Sequence, residues 1–118
     1  MSENQLVVLS KAFAIDMINL CEVIKRCGKA TAIINQLLRS GTSIGANIHE
    51  ANYASSKADF INKFRIALKE CYESEYWLEI FHETEMITDE EYSSMYAKCS
   101  KIRKMLISSV TTAKANLS

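Results

Sequence analysis

An all-α fold, an antiparallel up-down-up-down four-helix bundle, is what this sequence predicts, and three observations predict it. Apolar residues recur at three- and four-residue intervals through four long segments, which is the period of one helix face. Short stretches carrying glycine or capping residues separate those segments. The 118 residues contain no proline, which permits long helices, and no segment shows the strict alternation of a half-buried strand. The length suits one domain, residues 1–118, and is too short for two cores.

The first helix is expected over about residues 5–27. Leu6, Leu9, Phe13, Met17, Leu20, Ile24 and Cys27 form its apolar stripe. Lys25 and Arg26 fall in its last turn, where cations oppose the negative end of the helix dipole. Gly28 follows, the residue that most easily takes the left-handed conformation ending a helix. The second helix, residues 31–54, is capped by Thr31 and carries Ile34, Leu37, Leu38, Gly41, Ile44, Gly45, Ile48 and Ala51.

The third helix covers 57–86. Ser56 to Asp59 resembles a capping box with Asp in place of the usual Glu or Gln, and Phe60, Phe64, Ala67, Leu68, Cys71, Leu78 and Phe81 follow. The fourth covers 89–115. Thr88 to Glu91 is a fuller capping box, and Tyr92, Met95, Cys99, Ile102, Leu106, Ser109 and Ala113 step on from it by threes and fours. Four amphipathic helices with short connections most economically pack as neighbours in an antiparallel bundle. Val7, Ile15, Ile18, Tyr76, Trp77, Ile80, Tyr96 and Ile107 fall partly outside these stripes. Such a surplus is buried either in an oligomer or in a thicker core.

Composition narrows the class. Hydrophobic residues make up 48% and charged residues 24%, the balance of a soluble globular chain. No apolar run approaches the ~18 residues of a membrane span. Glu3 and Lys11 interrupt the N-terminal apolar stretch, so no secretory signal is expected and the expected location is cytoplasmic. Cys21, Cys27, Cys71 and Cys99 form no CxxC pair and read as small core residues rather than disulfides or zinc ligands. Net charge is zero but uneven: nine acids lie between Phe60 and Tyr92, whereas five bases and no acid follow Ser93. That asymmetry marks either an interaction surface or an acidic helix lying beside a basic one.

The second helix contains the stretch RSGTSIGANIHEA, Arg39 to Ala51. Gly41 and Gly45 are four apart and share the apolar face. A helical glycine costs up to ~1 kcal/mol relative to alanine, which close approach of a neighbouring helix can offset. A phosphate loop needs GxxxxGK[ST]; here the spacing is GxxxG and Ala46 stands where lysine should. Opposite the glycines, Arg39, Ser43, Asn47 and Glu50 form a polar stripe that is either a solvated face or a hydrogen-bonding seam. Glu75 falls close to the apolar face of the third helix and needs a partner if buried. Arg39 on the neighbouring helix is one candidate.

QLLRSGTSIGANIHEA (Gln36 to Ala51), SKADFINKFRIALKECYESEYWL (Ser56 to Leu78) and KAFAIDMINL (Lys11 to Leu20) resemble the 23S rRNA-intervening-sequence protein family. The resemblance covers most of the chain. It implies a compact four-helix bundle that assembles into a ring, commonly a homopentamer, with no catalytic residues to carry over. A related branch, the accessory variability determinant proteins of diversity-generating retroelements, is basic and works with a reverse transcriptase and nucleic acid. This chain departs from that branch in its neutral charge.

Candidate chemistry is sparse. Glu79 and His82 have the Glu-x-x-His spacing of di-iron bundles, but such a site needs a second copy of the motif and two more carboxylates. Ala46 lies three residues before the only other histidine, His49. No metal, no cofactor and no catalytic triad is expected. The nucleic-acid reading rests on Lys98, Lys101 and Lys104, with Arg103 to one side, as a ribbon along the last helix. Repeated around a ring, it would become multivalent. Two functions follow as expectations: a non-enzymatic ring-forming module whose partners are copies of itself and another protein, or an accessory protein contacting RNA or DNA through that ribbon.

Overall fold

The computed structural model describes residues 2–26, 28 and 31–116; Cys27 lies outside them. Four helices follow one another: α1 (Ser2–Lys25), α2 (Thr31–Ala51), α3 (Lys57–Glu83) and α4 (Asp89–Ala115). Among the described residues there is no strand. Each connection, 26–30, 52–56 and 84–88, has five residues. Five residues reach at most about 18 Å, whereas helices of 21 to 27 residues run some 30–40 Å. Consecutive helices must therefore be antiparallel. Packing joins α1 to α2, α2 to α3, α3 to α4 and α4 back to α1, and among the described residues the backbones of diagonally placed helices do not come close. The result is a four-cornered bundle 50 Å long and about 20 Å across.

Capping chemistry sets the helix starts. Ser56 accepts the Asp59 amide at the head of α3, while the Asp59 carboxylate takes the Ser55 amide instead of completing the box on Ser56. Thr88 and Glu91 make the full reciprocal box at the head of α4. Thr31 is the first helical residue of α2, one position inside the place of a cap, which corrects the expectation that it caps that helix. The ends also differ from expectation. α1 begins at Ser2, and Gly28, with φ +70°, closes it with a bond to the Lys25 carbonyl. α2 stops at Ala51 rather than 54, because Asn52, Tyr53 and Ala54 take tight bonds to the carbonyls three residues back. α3 stops at Glu83 rather than 86. There the Met86 amide bonds the Phe81 carbonyl at 2.8 Å and Glu85 sits at φ 61°, the geometry of a left-handed helix stop without the usual glycine.

The core runs the length of the bundle. Phe13, Phe64 and Phe81 are its largest side chains and are essentially inaccessible. Cys21, Cys71 and Cys99 are buried free thiols. Burial raises the Cys21 thiol to about 11; a hydrogen bond with Cys71, then burial, raises Cys99. All three behave as small core residues. Among the described residues, no helix is long and apolar enough to cross a membrane.

Candidate functional site

The two interior glycines of α2 face α1. A Cβ on Gly41 would lie 2.7 Å from Met17 Cγ and 2.9 Å from Met17 Cε. One on Gly45 would lie 3.2 Å from the Ser10 carbonyl oxygen, which is backbone. Both distances are shorter than carbon contacts normally allow, so side-chain-free positions let α1 and α2 approach closely here. Outside this contact, Val7, Lys11, Ala14, Thr42, Ala46 and His49 border a groove of about 340 Å3 along the α1/α2 seam.

The opposite side of α2 meets α3. Arg39 Nη2 donates to Glu73 Oε2 at 2.6 Å, Arg39 Nη1 reaches Glu70, and Trp77 Nε1 donates to the same Glu73 oxygen at 3.1 Å. Burial pushes the Glu73 carboxyl up, but the hydrogen bonds from Arg39 and Trp77 outweigh it and hold the group below the ordinary carboxylate value. Glu50 pairs with Lys63 of α3 at 3.1 Å. Between these ends, Asn47 donates back to the Ser43 carbonyl of its own helix. The stripe thus bridges to α3 at Arg39 and Glu50 and closes on itself at Ser43 and Asn47. Deeper in the seam, Ser74 donates to Ser40 at 2.9 Å, and Ser40 donates to the Leu37 carbonyl. Both hydroxyls are fully buried, and each satisfies the other's polar demand. Sequence reasoning missed this clasp, because a serine on an apolar face carries no partner information.

Glu75 is buried at 6% exposure, but its partner is not Arg39. Arg103 Nε of α4 donates to Glu75 Oε2 at 2.8 Å; Arg103 also donates to Ser100 and lies 5.5 Å from the Tyr72 ring centroid. Glu75 therefore belongs to the α3/α4 seam and not to a polar seam with Arg39, Ser43, Asn47 and Glu50. The same pair removes Arg103 from the basic ribbon. Lys98 is also occupied, pairing with Asp16 of α1 at 2.9 Å. Lys101 and Lys104 remain exposed.

Aromatic side chains gather along the outer α3/α4 seam. His82 stacks on Tyr92 with centroids 4.3 Å apart and planes 9° apart, and bonds Asp89 at 2.7 Å. Tyr96 follows Tyr92 at 5.3 Å, Tyr72 is about half exposed under the Arg103 guanidinium, and Tyr76, also about half exposed, meets Trp77 at 5.1 Å. Burial, then the negative charges of Glu79, Glu75 and Glu83, raises the Tyr92 phenol above its ordinary value. Among the described residues, no three His, Cys, Asp or Glu side chains are placed to hold a metal.

Solvent meets an unusual outer face on α1. Val8 is 66% exposed, Ile15 51%, Ile18 46% and Val23 49%. Exposed Lys11, Asn19 and Glu22 stand among them, so the face is mixed, with more aliphatic side chains than a fully solvated helix face carries.

Comparison with known proteins agrees with this architecture. A crystal structure of a protein of unknown function from the S23 ribosomal protein family of Bacteroides thetaiotaomicron superposes with a TM-score of 0.91. It is 48% identical, and the alignment covers 94% of this chain and 99% of that one. No curated protein matches the chain. The profile of the 23S rRNA-intervening sequence proteins matches residues 2–108. That match takes in the glycine contact on α2 and the Glu75–Arg103 seam alike, and the chain belongs to the 23S rRNA-intervening sequence protein family.

Proposed function

We propose that this protein is a non-enzymatic assembly module: identical copies join into a closed ring that serves as an adaptor for another protein. The observation that carries the reading is the outer face of α1. Four large aliphatic side chains there stand between 46% and 66% exposed, outside the core cluster that the four helices share. Exposed apolar surface of this extent is stable in water when another protein surface covers it. A homopentamer is the ring that the sequence resemblance implies. Light scattering tests it: the unmodified chain runs as a multimer, and Ile15→Glu, which places a charge in the covered face, runs as a monomer with helix content intact. An unmodified chain that runs as a monomer would contradict the proposal.

A second reading, contact with RNA or DNA through α4, is favoured by one observation: Lys101 and Lys104 are exposed and adjacent on the outer face of α4. With Lys98 and Arg103 engaged inside the protomer, each chain offers two cations rather than four. Binding of structured RNA should then fall with salt in proportion to about two phosphate contacts per engaged protomer. Loss of binding in Lys101→Ala/Lys104→Ala, with assembly unchanged, supports this reading; no binding by the unmodified protein at low salt removes it.

A further inference from the structure

The outer face of α4 carries a groove of about 550 Å3, lined by residues of that helix alone. Tyr92 and Tyr96 stand at one end and Lys101 and Lys104 at the other, with Ala97 and Ser100 as a low floor between them. No acid lines it. Lys101 and Lys104 are exposed and make no ion pair with a described residue. At 1.5 Å per residue, Lys101 lies about 7.5 Å and Lys104 about 12 Å along the helix from Tyr96.

The two ends of the groove differ in charge. His82 stacks on Tyr92 and fixes that ring, and Tyr96 sets against Tyr92 with planes 43° apart and stays partly exposed. Burial, then the charges of Glu75 and Glu79, raises the Tyr96 phenol, so the acids of α3 are felt at the tyrosine end. The lysine end carries two cations with nothing in the protomer to neutralise them. A ligand that fits must bring an uncharged flat group to the tyrosines and negative charge to the lysines.

We infer that this groove binds single-stranded nucleic acid, with a base stacked on Tyr96 and the adjoining phosphates on Lys101 and Lys104. The inference rests on the nucleic-acid reading above and deepens it, naming the form of the ligand and the platform that holds its bases. Bases of a single strand expose their faces to aromatic side chains, and such stacking is tolerant of sequence because every base has a π-face. In a duplex those faces are covered by neighbouring base pairs, so the tyrosines would contribute nothing and two lysines alone would remain. An acidic peptide fits less well, since it has no flat neutral group to set against the tyrosines beside the α3 acids. The bases go to the tyrosine end and the phosphates to the lysine end, so the strand crosses α4 away from Glu75 and Glu79.

Fluorescence anisotropy tests it with a labelled oligothymidylate of about a dozen nucleotides, free and annealed to its oligoadenylate complement. The free strand should bind and the duplex should bind more weakly. Affinity for the strand should fall with salt at a log–log slope of about −1.4 per engaged protomer, the value for two phosphate contacts on a single strand. Tyr96→Leu should weaken binding roughly five- to hundredfold, the range for one stacked base, whereas Tyr96→Phe, which keeps the ring, should bind as the unmodified chain does. Ala97 is exposed on the groove floor, so Ala97→Glu should abolish binding while leaving the fold intact, a check that does not depend on Tyr96→Leu folding. Equal affinity for strand and duplex, unchanged binding by Tyr96→Leu or Ala97→Glu, or equal competition by polyglutamate would overturn the inference and leave only a contact by charge. No binding of either form at low salt would remove the nucleic-acid reading with it.

Discussion

Arg103 of α4 holds the buried carboxylate of Glu75 on α3, Nε to Oε2, at 2.8 Å. The side chains are 19% and 8% exposed, which makes this the most enclosed ion pair among the described residues. Removing one partner of a buried pair costs more than the pair itself contributes, because the other is left desolvated and uncompensated. Glu75→Gln should therefore lower stability by about 1–3 kcal/mol, read as a fall in melting temperature. Arg39→Ala, at a pair whose cation is half exposed, should cost less. Equal losses in the two variants would contradict this ranking.

At Gly41 the expected effect of alanine runs against helix propensity. Alanine should favour the helix by up to about 1 kcal/mol, but its Cβ would lie 2.7 Å from Cγ of the fully buried Met17. Forcing that side chain out of its rotamer costs typically 1–3 kcal/mol, so Gly41→Ala should destabilise on balance and Gly41→Leu should destabilise far more. Chemical denaturation of the two variants measures the order. A stabilised Gly41→Ala would mean that α1 yields easily at this point.

The α3 stop offers a change in the other direction. Glu85 takes φ 61°, a left-handed conformation that costs a residue with a Cβ roughly 1–2 kcal/mol. Glu85→Gly should raise stability by about 0.5–1 kcal/mol after the added freedom of the unfolded chain is subtracted. Thermal melts of the pair decide it, and a lowered midpoint would refute it.

Acid should weaken the α2/α3 seam. The Glu73 carboxyl is held below its ordinary 4.5 by Arg39 and Trp77 against the opposing effect of burial. A folded value below the unfolded one means that the unfolded chain binds the extra proton first as pH falls. The contribution is therefore complete above pH 4.5 and is lost as pH drops through the depressed folded value. The carboxylate is a third exposed, so solvent screening keeps the effect below about 1 kcal/mol. The stability gap between the unmodified chain and Glu73→Gln should hold above pH 4.5 and shrink as pH falls below it; a gap that widens would contradict the assignment.

Much of the architecture is written in the spacing of the residues. The threes and fours of α4 and the Thr88–Glu91 box place that helix to the residue, because both signals are local and chemically specific. The end of α2 was not legible. Asn52 to Ala54 tighten into a turn without glycine or proline, so nothing in the composition marks the stop. Partners across seams were legible only as faces. Helical geometry puts Arg39 on the side of α2 away from its glycines, but the axial level that brings it to Glu70 and Glu73 rather than Glu75 depends on how far α3 slides against α2. That offset is a property of the packed core.

The most direct test of the account is the mass of the unmodified chain in solution, by light scattering or native mass spectrometry across a hundredfold range of concentration. The account predicts one species at five times the 13.3 kDa chain mass, falling to the chain mass when Ile15→Glu is introduced. A species at 13.3 kDa at every concentration would contradict it, because the apolar face of α1 would then be stable in water uncovered.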